Sequence, residues 1–474
     1  MTKSALLTDL YELTMIQGYY IKQRNPRVIF DMFFRSPPFS SGFSIFAGLQ
    51  PLLESLEEFS FSEEDMEYLS STGLFKSDFL DYLRDFSFTG DIYAMNEGTV
   101  IFPGEPLLRI HSSLIEAQLI ESMLLNVINF QSLIATKAAR IYLASNCGKV
   151  LEFGLRRAQG WDGALSASRA AYIGGASATS NTLAGKTYGI PVSGTMAHSW
   201  IMAFSSEYEA FESFAEIYPD KTILLIDTYD TLGSGIEHAI TVGKKLKEKG
   251  KRFGVRLDSG DLSYLSQRVR ERLDSAGLED AQITVSNDLN EEIIHQLVND
   301  NAPIDLWGVG THLVTGGSTA SFSGVYKLAA KEFDGMMLPT IKVSNNIEKT
   351  SNPGCKQVYR FFDKKGYALA DLITLSEQNL NLSRPHTFYH PMHPNTYFTL
   401  YSYGDAKPLL APKMTGGRIL DSPSSLEAIR THTLEQLDSF DRTYKRIINP
   451  HIYRVSISTA LKNLKLRMID EFRD

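Results

Sequence analysis

Several short stretches of the chain carry side chains able to do chemistry. The richest is GVRLDSGDL, residues 254–262, which opens like a buried strand and then presents Arg256, Asp258, Ser259, Gly260 and Asp261. Two aspartates three apart at a strand end can hold a divalent metal, bind ribose hydroxyls or stabilise a developing positive charge. Ser259 and the Gly260 N–H can bind anionic oxygen where the next helix begins. A plainer reading is a helix cap, since Asp or Ser ahead of LSYLSQRV needs no ligand to be useful. The cap accounts for one acid and leaves Arg256 unexplained.

SGTMAHSW (193–200) contains His198. A lone histidine near a helix start is more often structural than catalytic. Here it follows Ser-Gly-Thr at another expected strand end, on the same face as Asp258, where it can be a general base, a phosphate ligand or a phosphorylated nucleophile. EFGLRRAQG (152–160) brings Arg156 and Arg157 to a third strand end. Guanidinium matches phosphate or carboxylate in a two-pronged way, although a surface salt bridge is the expected role for at least one of the pair. Phe153 can stack on a flat ring or fill core. DLWGVGTHLVTGG (305–317) ends a strand with Gly308, Gly310 and Thr311, a turn whose N–H groups can cradle phosphate. It matches neither a Walker A loop nor GxGxxG, which disfavours a P-loop ATPase or a dinucleotide dehydrogenase. The basic residues Lys342, Lys349, Lys356 and Arg360 have the usual meaning of a solvated face. The three lysines, with Arg35, are also candidates for a polyphosphate at the pocket edge.

These residues need elements to position them. From about residue 148 the chain alternates apolar, unbroken strand candidates with helices, the pattern of a parallel sheet. Asp227, Asp258, Asn287 and Gly310 stand at successive strand ends, spaced by 31, 29 and 23 residues, each about one βα unit. In such sheets the site collects at the carboxyl ends of the strands. The unit count favours a (β/α) barrel over one Rossmann half, with an open six-stranded sheet as the alternative. The expected segments are an α/β N-terminal domain with a long helix over 1–145, the barrel over 146–340, and a C-terminal region over 341–474 that packs back on the rest.

A chain of 474 residues is too long for one ordinary core, and 43% hydrophobic residues is far from a disordered composition. A net charge of −8 argues against a general nucleic-acid or anionic-membrane binder. Cys147 and Cys355 form no CxxC pair, so neither a disulfide framework nor a zinc ribbon is suggested. MTKSALLTDLYEL has acids where a signal peptide needs an apolar core, and no run approaches the roughly 18 apolar residues of a membrane span. The expectation is a cytoplasmic protein.

The chain closely resembles the nicotinate phosphoribosyltransferases. LLTDLYELTM, FDMFFR, FAGL, NFQSLIATKAAR, EFGLRRAQG, GTMAHSW, DTYDTL, GVRLDSGDL, SND and GVGTHLVT look like that family's motifs, in its order, across roughly residues 5 to 360, and KQVYR looks like it in the tail. The resemblance implies the type II phosphoribosyltransferase fold, with an α/β N-terminal domain beside an irregular (β/α) barrel. It implies the joining of nicotinate to phosphoribosyl pyrophosphate, coupled to ATP hydrolysis through a phosphorylated His198, with Mg²⁺ (or Mn²⁺) on the pyrophosphate and its protein ligands unassigned. It implies a homodimer with shared sites. Tyr11 would stack on the pyridine from a second subunit, opposite Phe153, with Asp9 close by. Thr195 and Arg256 would contact nicotinate, Arg156 would lie beside the ring and phosphoribosyl groups, Asp258 under the ribose, and Gly310 and Thr311 on the 5-phosphate.

Two departures qualify this. His312 follows Thr311 where smaller polar residues are common in relatives. LAGKTYGIP (183–191) has no acid, whereas the nicotinamide-using relatives have an aspartate in this region for the amide. That favours a carboxylate substrate. The rivals are a nicotinamide phosphoribosyltransferase, a quinolinate phosphoribosyltransferase, which would be shorter and more basic, and a non-catalytic binding protein of the same fold. Intact His198, Arg256 and Asp258 argue against the last.

Overall fold

The computed structural model describes residues 4–344, 346, 349–378, 380–381, 384–393 and 395–471. The chain forms two compact units, one built from Met1–Leu133 with Ser321–Asp474 and one from Ile134–Ala320.

The first unit is organised around RVIFDMFF, Arg27–Phe34, a strand buried along nearly its whole length. Apolar residues on both faces require cover on both sides. It is central in a seven-stranded sheet in the order Met336–Pro339, Gly324–Phe333, Arg27–Phe34, Leu108–Ser113, Asp91–Ala94, Ala411–Thr415 and Arg418–Ile419. Gly324–Phe333 pairs antiparallel with Arg27–Phe34, Val28 opposite Lys331 and Phe34 opposite Gly324. Residues 324–339 therefore belong here, not with the parallel sheet into which the expected 146–340 segment put them. The sequence signal is the hairpin at Asp334-Gly335, where both residues take positive φ (49° and 77°), as a tight hairpin turn demands. The C-terminal region does pack back: Ala411–Thr415 joins the N-terminal sheet beside Asp91–Ala94. Arg418–Ile419 follows it at the edge of that sheet, and the remaining strands of the region make a separate six-stranded sheet around Lys356–Phe362 and Ala368–Leu375.

That second sheet buries charge. Arg360 is fully inaccessible, paired with Asp371 at 2.6 Å, with its guanidinium carbon 5.6 and 5.0 Å from the Phe102 and Phe440 ring centres. Asp371 also accepts from the Tyr453 hydroxyl at 2.9 Å. Arg360 is thus a core cation and not part of a solvated face. Lys356 is buried as well, its ammonium 2.7 Å from Asp31 and donating to the carbonyls of Asn352 and Gly354 at 2.7 and 2.6 Å. Its three protons are committed, leaving none for a polyphosphate. Both misreadings have one cause, since period-two alternation buries every second residue of KQVYRFF regardless of its charge.

The second unit holds a six-stranded, wholly parallel sheet in the order Ala178–Thr179, Lys149–Glu152, Leu306–Val309, Gln282–Val285, Phe253–Leu257, Thr222–Leu225. The two outer strands, Ala178–Thr179 and Thr222–Leu225, do not pair with each other, so the expected barrel is an open half-barrel. Its strands are short and apolar, with Val150, Val255, Leu257, Ile283, Val285 and Val309 inaccessible. Helices Gly160–Ile173, Ile236–Glu248, Leu262–Ser275 and Glu291–Asn299 alternate with them. The long helical stretch is two helices, Leu114–Leu119 and Glu121–Ala144. Late in the second, Lys137 and Arg140 pair with buried Glu291 at 2.6 and 2.9 Å.

Glu105 is a buried titratable group of the first unit. It is fully buried, and burial, followed by the neighbouring Asp371 charge, pushes its pKa well above the ordinary carboxylate range, with Arg360 opposing. A folded-state pKa above the unfolded value means a contribution that is complete below the unfolded pKa and lost as pH rises through the folded one. Glu105→Gln keeps the hydrogen-bonding shape and cannot ionise. Its urea unfolding midpoint should match wild type near pH ~4 and exceed it increasingly as pH rises, clearly so near pH ~8. Equal midpoints at both values would mean that Glu105 does not carry the proton.

Candidate active site

The carboxyl ends of the parallel strands surround a cavity of about 530 Å³ within the second unit. Phe153, Arg156, Thr195, His198, Arg256, Asp258, Gly310 and Thr311 all line it, with Arg157, Gly308, Asn287 and Asp288. Eleven of the residues singled out in sequence are therefore brought together. Tyr11, Asp9, Arg35, Lys342 and Lys349 belong to the first unit and do not line this cavity.

Arg256 is the centre of the polar network. Its Nε donates to Ser286 Oγ at 2.8 Å, its Nη1 to Thr195 Oγ1 at 2.8 Å and its Nη2 to Asp258 Oδ1 at 2.7 Å. Ser286 in turn donates to Asp258 Oδ1. The hydroxyl thus closes a ring between guanidinium and carboxylate. Burial alone would raise the Asp258 pKa. The Ser286 hydrogen bond, the Arg256 charge and hydrogen bond, and nearby His198 together outweigh burial and hold it below the usual aspartate value.

His198 is the first residue of a short helix, His198–Met202. Its Nδ1 lies 3.1 Å from Thr228 Oγ1, and its Nε2 lies 3.8 Å from Asp258 Oδ2. Asp227 ties the loops together, its Oδ2 accepting from the Asp258 N–H at 2.8 Å and from Ser259 Oγ at 2.6 Å. Its Oδ1 is buried and has no hydrogen-bond partner among the described residues. The cap reading of GVRLDSGDL holds for Asp261, which accepts from the Tyr264 N–H at 3.0 Å. Gly260 takes φ +80° in the turn. The two acids therefore divide, Asp261 to the helix and Asp258 to the cavity.

Phe153 packs over Gly308, where an added Cβ would come within 2.8 Å of the ring. The Arg256 guanidinium carbon sits 5.8 Å from the same ring's centre. Glu152 fixes the turn that aims Phe153, accepting from Gly154 N, Ser168 Oγ and Thr179 Oγ1. Arg156 and Arg157 are exposed in the turn Leu155–Arg157, and neither has an ion-pair partner among the described residues. Asn287 and Asp288 hold positive φ (93° and 34°) at the cavity wall, conformations that asparagine and aspartate tolerate better than most residues. No group of three or more metal-ligating side chains occurs among the described residues. His312 lies in the short helix Thr311–Val314 behind this turn.

The first unit gathers its own cations. Arg35 lines a second cavity, of about 310 Å³, with Lys327, Lys356 and Lys465. Burial, then the opposing pull of Glu121, then the like charges of Lys342 and Arg35 leave Lys327 below its usual pKa. Burial, with Lys356 nearby, pushes Lys465 down to about 8. Tyr11 is exposed on the helix Leu10–Ile21, and Asp9 accepts from Ser122 Oγ at 3.1 Å. Sequence reasoning missed Ser286, Thr228, Lys327 and Lys465. The first two sit inside the SND and DTYDTL motifs; the lysines carry no local signal.

Three family descriptions match the chain: the nicotinate phosphoribosyltransferase N-terminal domain over residues 6–129, the nicotinate phosphoribosyltransferase family over 149–364, and its C-terminal domain over 355–465. The chain belongs to the nicotinate phosphoribosyltransferase family. It is 42% identical to the Bacillus subtilis nicotinate phosphoribosyltransferase over 99% of this chain and 96% of that protein. A Mycobacterium tuberculosis nicotinate phosphoribosyltransferase is 43% identical over 96% and 92% of the two chains. The crystal structure of human nicotinic acid phosphoribosyltransferase superposes with a TM-score of 0.85 at 30% identity, covering 97% of this chain and 99% of that one. No helix among the described residues is long and apolar enough to cross a membrane.

Ser286 offers a direct check of the network. A depressed folded-state pKa contributes stability that is present above the unfolded pKa and lost as pH falls through the folded one. Ser286→Ala should raise the Asp258 pKa in a carbon-13 carboxyl titration. It should also lower stability at neutral pH by about 1–2 kcal/mol, with a smaller loss in acid. An unchanged Asp258 titration would remove Ser286 from the network.

Proposed function

We propose that the strand-end cavity binds nicotinate and 5-phosphoribosyl 1-diphosphate and joins them, giving nicotinate mononucleotide and diphosphate in the first step of NAD salvage from nicotinate. ATP is hydrolysed alongside through phosphorylation of His198. The observation that carries this reading is the Arg256–Ser286–Asp258 ring beside His198 in a cavity with two unpaired arginines at its mouth. A cavity of this size suits a base and a sugar phosphate together.

The chemistry follows from those positions. The pyridine nitrogen attacks the anomeric carbon with its own lone pair, the carbon–oxygen bond to diphosphate breaks, and no protein base is needed. Positive charge develops at the ribose. Asp258, held ionised by Arg256 and Ser286, stands where it can offset that charge. Phe153 stacks on the pyridine, and Arg256 with Thr195 orients its carboxylate. Arg156 lies beside the ring and the phosphoribosyl group, and the Gly310–Thr311 turn takes the 5-phosphate. Mg²⁺ (or Mn²⁺) usually binds through substrate phosphates and one or two carboxylates, which suits a site without a three-ligand cluster. Such an ion neutralises the leaving group when bound.

The residues of the first unit act on a second copy of the chain in this reading. Exposed Tyr11, with Asp9, covers the pyridine of the partner's site in a homodimer. Arg35, Lys342 and Lys349, joined by Lys327, receive polyphosphate there; Lys356 only supports them. The helix Thr182–Tyr188 has no acid to accept an amide, in keeping with nicotinate over nicotinamide.

The test offers the protein phosphoribosyl diphosphate and Mg²⁺ with nicotinate or nicotinamide, each with and without ATP, and follows mononucleotide by chromatography. Product should form from nicotinate and increase with ATP, and His198→Ala should abolish the ATP increment. Product from nicotinamide alone would reverse the substrate assignment, and no product from either would overturn the reaction.

A further inference from the structure

The two nitrogens of His198 have different surroundings. Nε2 faces Asp258, which lines the cavity, at 3.8 Å, too far for a hydrogen bond. Nδ1 faces Thr228 Oγ1 at 3.1 Å, and Thr228 does not line the cavity. The threonine is itself held in place, because the adjacent Asp227 accepts from the backbone of Asp258 and the hydroxyl of Ser259. The histidine helix is held independently by Trp200, whose Nε1 donates to the Ala210 carbonyl at 3.0 Å. The ring is therefore presented to the cavity by one edge, with the other edge covered.

We infer that Thr228 is a positioning residue that holds the Nδ1 proton of His198, making Nε2 the atom that receives the phosphoryl group. This rests on the ATP-coupled reading above. The Nε2 lone pair attacks the γ-phosphorus of ATP, the N–P bond forms, and the bond to the β–γ bridging oxygen breaks with its electron pair leaving on ADP. The proton stays on Nδ1, so the phosphorylated ring carries a positive charge, and Thr228 Oγ1 accepts the hydrogen bond from that N–H. When water attacks the phosphorus, the N–P pair returns to Nε2, a water proton goes to solvent, and the neutral ring is restored. A neutral imidazole is a far better leaving group than the anion that would depart without the Nδ1 proton. Threonine suits the post because its hydroxyl oxygen has two acceptor lone pairs and no charge to compete with Asp258.

The full-length protein, labelled with nitrogen-15 histidine, is incubated with Mg-ATP, and phosphorus–nitrogen NMR identifies the substituted ring atom. Phosphate on Nε2 is the expected result; phosphate on Nδ1 overturns the inference while leaving the coupled reaction standing. No phosphohistidine, with mononucleotide still produced, overturns the coupling reading and this inference with it. Thr228→Val keeps the shape and deletes the acceptor. It should slow phosphohistidine formation about ten-fold, the worth of one hydrogen bond to a ring gaining charge, and Thr228→Ser should restore most of the rate. Phosphorylation by Thr228→Val at the wild-type rate overturns the role. If that variant does not fold, the atom carrying phosphate in wild type and the rate of Thr228→Ser still decide.

Discussion

A guanidinium cannot be taken out of water without partners, and Arg256 is mostly buried at the end of a parallel strand. Everything around the cavity meets that requirement. Ser286 from the neighbouring strand end, Asp258 from its own loop and Thr195 from the segment before His198 each take one of its donors. Three loops that share no sequence proximity are thereby set at fixed distances. Once Arg256 is satisfied, Asp258 is ionised, and Phe153 lies over Gly308 beside the same guanidinium. The stability of the network and the readiness of the site are one arrangement, because donors that offset burial also keep the carboxylate charged.

The parallel sheet explains why these groups meet at all. In parallel pairing every strand ends on the same side, so residues some thirty positions apart in sequence stand side by side. Thr284 lies beside Arg256 in register, and Ser286 follows two residues later on the same face. Leaving the half-barrel open leaves two edge strands, one of them the two-residue strand Ala178–Thr179, whose outer side is met only by a single bridge from Thr179 to Val192. Short edge strands limit the exposed backbone that would otherwise recruit another chain.

Legibility in the sequence followed the range of the interaction. The strand-helix rhythm, the polar strand ends and the grouping of His198, Arg256, Asp258 and Gly310 were readable, because each depends on local periodicity and on the geometry common to parallel sheets. Ser286 lies within SND without declaring a role, since a serine at a strand end has no distinctive pattern until its neighbours are known. Residues 324–339 were placed with the wrong unit because a hairpin strand and a parallel strand share composition; the Asp-Gly turn was the clue. Lys356 and Arg360 were read by charge, yet the alternation of a strand buried them beside Asp31 and Asp371.

Those two buried cations bear on the exposed ones. A lysine whose three protons are met by a carboxylate and two carbonyls has no capacity left for a ligand, however basic its neighbourhood. Lys327 is different: it donates to the Tyr326 carbonyl at 2.7 Å and lies 4.0 Å from Glu121, while burial first and then the like charges of Lys342 and Arg35 push its pKa down. Repulsion among cations is a standing cost to the folded chain, and an anion relieves it. Whether a buried lysine is structural is therefore decided by its satisfied donors rather than by its position in a basic run.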